Sequence, residues 1–130
     1  MTYQRAGCIL IINKDNGTFL SVSNKKRTDF NLPGGKIEAF ESILDGSIRE
    51  LKEETGLNVN KGDLTKFYHD WCREYGCKWD VYTYLSFNYS GEICTNERGI
   101  VKWLPLEELK NSKQYSKYNS ELYNKYVNNY

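Results

Sequence analysis

Residues 35–57 constrain this chain more than any other stretch, because within them Glu50, Glu53 and Glu54 stand at i, i+3 and i+4. If residues 42–55 coil into an α-helix, that spacing places all three carboxylates on one face. At about 100° per residue, Leu44, Ile48 and Leu51 form a stripe roughly opposite them, so the helix has one face for a core and one for chemistry. Arg49 precedes Glu53 by four residues, where the pair supports the helix, and Gly56 follows the last turn as a helix stop. Three neighbouring carboxylates without a cation would repel one another and raise each other's pKa values, so the face suits a hard divalent ion. A solvated Glu-rich face explains the same spacing when it is taken alone.

The wider stretch narrows the choice. Gly35, Glu41, Arg49-Glu50-Leu51, Glu53-Glu54 and Gly56-Leu57 occupy the fixed positions of the box of the Nudix hydrolases, and the chain resembles that family. The run Leu32-Pro33-Gly34-Gly35-Lys36-Ile37-Glu38 resembles the family's approach to the box, and Lys102-Trp103-Leu104-Pro105-Leu106 resembles the segment after its catalytic loop. The resemblance implies an α/β fold: an α/β/α sandwich whose mixed central sheet is flanked by the box helix and a C-terminal helix. It implies a hydrolase of nucleoside diphosphates linked to another group. It also implies Glu53 and Glu54 as the main ligands of Mg²⁺ or Mn²⁺, with Glu50 as a third and the Gly35 carbonyl completing the set. Arg49 is then the residue that orients the glutamates. Glu38 and Glu41 lie in the loop before the helix. Glu97, six residues before Trp103, stands where the family often carries a further glutamate acting as general base or extra ligand; Glu92 is the other acidic candidate, and a loop that supplies no base is a third option.

At 130 residues and 39% hydrophobic composition, one domain with a modest core is expected. Lys and Arg total 18 against 17 for Asp and Glu, so no global field argues for nucleic acid or a membrane as partner. No apolar run approaches the roughly 20 residues of a membrane span. The start Met1-Thr2-Tyr3-Gln4-Arg5 does not resemble a signal peptide, and a soluble, cytoplasmic protein is expected. Cys8, Cys72, Cys77 and Cys94 are too few and scattered for a disulfide framework, and free thiols are the expectation.

In chain order, Ala6–Ile12 reads as a buried strand, turning through residues 13–17 into Thr18–Val22 as a hairpin. Leu64–Trp71 and Trp79–Phe87 read as two strands joined across residues 73–76, an arrangement that would set Cys72 opposite Cys77. His69, the only histidine, reads as structural. Ser90-Gly91-Glu92 reads as a turn, Ile100–Leu104 as a strand, and Pro105 as the first-turn proline of a helix. Tyr115, Tyr118, Leu122 and Tyr126 have the spacing of a C-terminal packing helix.

Lys25, Lys26 and Arg27 are candidates for substrate phosphate, Arg27 foremost because a guanidinium binds phosphate bidentately. Lys36 is a further candidate within the box. Phe30 is placed to stack on a base and Asn31 to hydrogen-bond one, although each has a purely structural reading. Outside the box, the chain lacks the signatures that mark the ADP-ribose, NADH and coenzyme A hydrolases of the family. It is most similar to the MutT-like members, which implies a nucleoside triphosphate cleaved to a monophosphate and pyrophosphate. Dinucleoside polyphosphates and ADP-ribose are the alternative substrates. A non-catalytic nucleotide-binding regulatory module is the alternative from another class, and monomer and homodimer both stay open.

Overall fold

Among the described residues, the chain runs β1 (Thr2–Asn13), β2 (Thr18–Ser23), β3 (Phe30–Asn31), β4 (Gly34–Lys36), α1 (Ile43–Thr55), β5 (Leu57–Asn58), a 3-10 turn (Lys61–Asp63), β6 (Thr65–Glu74), β7 (Cys77–Ser86), β8 (Ser90–Gly91), β9 (Val101–Pro105), a 3-10 helix (Leu106–Asn111) and α2 (Ser116–Asn129). The structure, a computed structural model, describes residues 2–74, 76–94 and 99–130, with Thr2, Tyr3 and Glu74 described by their backbone alone. Glu97 therefore lies outside the described residues.

Strand β1 is the axis of a mixed sheet. It pairs in parallel with β7 from Thr2 opposite Cys77 to Ile11 opposite Ser86, and antiparallel with β4 at Ala6–Cys8. Its Ile9–Ile12 run is continuously apolar because both faces of the sheet are covered, the condition that replaces alternation with an unbroken hydrophobic strand. Ile9 and Ile11 pack with Leu20, Leu51 and Leu57 on the α1 side. Leu10 and Ile12 pack with Phe19, Leu85, Leu109 and Leu122 on the α2 side. This is the α/β layering that the resemblance implied. No helix among the described residues is long and apolar enough to cross a membrane.

Helix α1 begins and ends where local chemistry dictates. The Ser42 hydroxyl accepts from the Asp45 amide at 3.0 Å, and Gly56 closes the helix in the left-handed region at φ 83, donating to the Lys52 carbonyl. Its buried side is Gly46, Ser47, Leu51 and Thr55, with Ile48 half-buried beside them. Replacing Ser42 with Ala removes an N-cap and is expected to lower unfolding free energy by about 1 kcal/mol, read by urea denaturation. At the closest approach of helix to sheet lies Gly7, where a Cβ would stand 2.0 Å from the Ser47 hydroxyl.

Several elements differ from the local reading. The hairpin of β1 and β2 is confined to Ile12–Asn13 opposite Thr18–Phe19, and the long partner of β2 is β9, paired from Thr18 opposite Pro105 to Val22 opposite Val101. Pro105 ends that strand instead of opening an α-helix, and the turn after it is 3-10. Ser90 and Gly91 form a short ladder with Leu57 and Asn58, so the expected turn is strand. In the β6–β7 hairpin, Cys72 faces Trp79 and Cys77 faces Glu74, so the two cysteines do not oppose each other; all four cysteines are free thiols. The hairpin is two residues tighter at its tip than the sequence suggested, which shifts the register past the cysteine pair.

Candidate active site

The acidic face of α1 is built against the glycines of β4. The Glu54 carboxylate accepts the Gly34 amide at 2.8 Å, and the Glu50 carboxyl fills the space that a side chain on residue 35 would need, 2.8–2.9 Å from where that Cβ would be. Glu53 is the most solvent-facing of the three, its side chain 40% exposed against 15% for Glu50. Arg49 ties the arrangement together. Its guanidinium grips both oxygens of Glu41, at 2.7 and 3.0 Å, and reaches Glu50 at 3.1 Å, Glu53 at 3.2 Å and the Lys36 carbonyl at 3.2 Å. Hydrogen bonding to Arg49 holds the Glu41 carboxyl below the usual carboxylate range. The carboxylates, Glu41 foremost, raise the guanidinium's own pKa, so the cation is permanent. Glu41 also accepts the Glu38 amide at 2.8 Å, which fixes the loop ahead of the helix.

Glu50, Glu53, Glu54 and the Gly35 carbonyl, the ligands that the resemblance implies, are all oxygen donors, the kind that hard divalent cations take. The missing Cβ of Gly35 lets the Glu50 carboxyl come up against the β4 backbone, and the oxygen chemistry of the set fits such an ion. As the side chains stand, Glu50 and Glu53 lean on Arg49 and Glu54 on Gly34, and among the described residues no three acidic groups already converge on one point.

Beside these glycines opens a cavity of about 190 Å³ on the α2 side of the sheet. Its walls include Gly34, Gly35 and Lys36 of β4, Asn31 of β3, Cys8 of β1, Cys72 and Trp79 of the β6–β7 hairpin, and Tyr115 and Asn119 at the start of α2. Burial pushes the Cys8 thiol up to about 12, so it lines the cavity as a neutral group. The Asn31 amide donates to Asp29 at 3.1 Å, and its oxygen accepts from Ser112 and, at 3.2 Å, from Asn119. Burial alone would raise the Asp29 carboxyl, but the amides of Lys113, Gln114 and Phe30 and the Asn31 side chain outweigh it and hold the group below the ordinary aspartate value. That anchored carboxylate joins β3 to the segment leading into α2.

The sequence candidates are distributed as follows. Asn31 and Lys36 line the cavity, Lys36 with its side chain exposed. Phe30 lies outside its lining, half-buried with the Lys102 ammonium 4.4 Å above its ring. Arg27 is exposed at a left-handed turn, φ 59, also outside the lining. Glu92 is exposed after β8. His69 pairs with Asp80 and stacks on Tyr82 at 4.1 Å. Trp79 and Asn119 were not singled out by sequence, since each sits in a pattern that reads as core. The available signal was Asn119 itself, a polar residue four after Tyr115 and three before Leu122 on the apolar stripe of α2.

Residues 2–126 match the model of the NUDIX domain family. The chain is 28% identical to the uncharacterized Nudix hydrolase YvcI of Bacillus subtilis (strain 168), over 85% of this chain and 72% of that one. It is 32% identical to the 8-oxo-dGTP diphosphatase of Buchnera aphidicola subsp. Schizaphis graminum, over 77% of this chain and 76% of that one. Among solved structures, the MutT protein from Methanosarcina mazei Go1 shares the fold with a TM-score of 0.81 at 22% identity, covering 98% of this chain and 95% of that one.

Proposed function

The chain belongs to the NUDIX domain family and is a Nudix hydrolase; on that footing we propose that it is a nucleoside triphosphate pyrophosphohydrolase, releasing a nucleoside monophosphate and pyrophosphate. The observation that carries this reading is the continuity of the cavity with the acidic face: the same Gly34 and Gly35 that line the cavity abut Glu54 and Glu50. The relative named as an 8-oxo-dGTP diphosphatase supports a triphosphate substrate.

Glu50, Glu53, Glu54 and the Gly35 carbonyl would hold Mg²⁺ or Mn²⁺. Bound there, the ion supplies charge neutralisation on the diphosphate oxygens and a more acidic water. The chain's own residues do the rest. Arg49 holds Glu50 and Glu53 through one guanidinium, which keeps both carboxylates on the acidic face of α1, from where they would turn to the ion. Lys36, exposed at the rim, offers its ammonium to a phosphate oxygen. A carboxylate takes a proton from the attacking water, a new oxygen–phosphorus bond forms at one phosphorus of the α–β diphosphate, and the bond from that phosphorus to the bridging oxygen breaks, leaving the nucleoside monophosphate and pyrophosphate. Glu97 and Glu92 are the loop candidates for that base.

The test is product release from a panel of ordinary and oxidised deoxynucleoside triphosphates, ADP-ribose and diadenosine polyphosphates, with Mg²⁺ or with EDTA. Pyrophosphate from a triphosphate, abolished by EDTA, is expected. Preference for ADP-ribose or a dinucleoside polyphosphate would move the substrate to another branch of the family. Tight binding with no turnover of any compound would favour a regulatory module.

A further inference from the structure

We propose that Asp29, which lies outside the cavity lining, is a positioning residue for substrate binding: its carboxylate sets the direction of a relay of side-chain amides, Asn31 and then Asn119, in the cavity wall. The inference rests on the nucleotide-hydrolase reading above and adds a residue on which binding depends without contact to substrate. Asp29 is 7% exposed, and both of its oxygens are engaged. One accepts the Lys113 amide at 2.9 Å; the other accepts the Gln114 amide and the Asn31 side-chain amide, each at 3.1 Å. An ionised carboxylate only accepts. Although burial opposes it, these hydrogen bonds keep the group ionised below the ordinary aspartate value.

That fixed acceptor decides which way round the neighbouring amides stand. Asn31 must turn its NH2 to Asp29, which leaves its oxygen to accept from the Ser112 hydroxyl and, at 3.2 Å, from the Asn119 NH2. Asn119, 4% exposed, is thereby held with its nitrogen toward Asn31. A side-chain amide rotated by 180° exchanges donor for acceptor with almost no change of shape, so packing alone does not fix its direction. The carboxylate at the buried end of the relay does. Anchoring the segment ahead of α2 would need only the Lys113 and Gln114 amides; the bond to Asn31 is the one that reaches the cavity wall.

Asp29→Asn isolates the relay. The substituted side chain keeps an oxygen for the Lys113 amide but sets an NH2 against that of Asn31, so the amides of the relay must reverse. Steady-state kinetics with dGTP, or with ADP-ribose if the panel above selects it, are expected to show KM raised about tenfold and kcat within about threefold, the pattern of lost binding shared by ground and transition states. In an Asn31→Ala background, Asp29→Asn is expected to raise KM no further, because its effect runs through Asn31. A residue that served the fold alone would lower Tm alike in both backgrounds and leave KM unmoved, or change it by the same factor in each. An unchanged KM, or KM increases that multiply in the double variant, therefore overturns the proposal. Ser112→Ala, which removes the hydroxyl donor to the Asn31 oxygen, keeps the test open if Asp29→Asn folds poorly. It is expected to raise KM in the parent chain and not in Asn31→Ala, and an unchanged KM in the parent overturns the proposal as well. Turnover by the parent chain with either negative result defeats this proposal alone, whereas neither binding nor turnover of any nucleotide defeats the hydrolase reading together with it.

Discussion

Glu54→Gln is expected to lower kcat/KM by about 10²–10³-fold, the scale on which a preorganised electrostatic contact to the reacting group acts. The substitution isolates charge from structure. Glu54 accepts the Gly34 amide at 2.8 Å, and a glutamine oxygen can accept the same bond, so β4 stays docked on α1. What disappears is one negative charge from a face that also carries Glu50 and Glu53. Removing it relieves repulsion between like charges, so the thermal midpoint should hold or rise slightly. Paired measurement of kcat/KM and Tm separates the outcomes. A large loss of activity at unchanged Tm supports a role for Glu54 in chemistry, and full activity would remove Glu54 from the site. Glu54→Ala is the contrasting case, because it also takes away the acceptor of the Gly34 amide and should lower Tm as well.

Gly34→Ala is the substitution with the largest expected effect on stability, about 3 kcal/mol, at the upper end of overpacking penalties. A Cβ at residue 34 would stand 2.4 Å from the Gly7 carbonyl oxygen, 2.5 Å from the Cys8 Cβ and 2.7 Å from the Cys8 Cα. These are atoms of strand β1, not the far end of a flexible side chain, so β4 itself must move away. For a chain of this length, that corresponds to a drop in Tm on the order of 10 °C. Activity should fall with it, because β4 carries Gly35, the amide that anchors Glu54, and Lys36. Gly35→Ala makes the comparison informative. There the clash is with the Glu50 carboxyl at 2.8–2.9 Å, which can swing aside. The expectation is a small change in Tm and a large loss of kcat/KM, the reverse weighting of Gly34→Ala. Equal stability losses in the two variants would contradict this account of β4.

These two sites also mark where local and long-range information part. A helix over residues 42–55, its Gly56 stop, and the shared face of Glu50, Glu53 and Glu54 follow from residue identity at 3.6-residue spacing, so the sequence by itself determined them; the structure starts the helix at Ile43, with Ser42 as its N-cap. The same holds for the burial of Ile9–Ile12, since an unbroken apolar run needs cover on both faces. Family membership was legible for the same reason: the box compresses its chemistry into one contiguous segment.

Only the tertiary structure decided the rest. The two Asn side chains and Trp79 meet in one cavity because β3, β7 and α2 converge there, and each lies far from the others along the chain. Nothing in the local pattern of Thr18–Val22 distinguishes a partner in β1 from one in β9, since strand pairing is settled by which edges remain open after the core has formed. The separation of Cys72 from Cys77 turned on a register that hydrophobic spacing does not specify at a hairpin tip. Arg49 shows both kinds of information in one residue. Its pairing with Glu53 is a helical i to i+4 contact visible in the sequence, whereas its grip on Glu41 exists only because the preceding loop folds back over the helix.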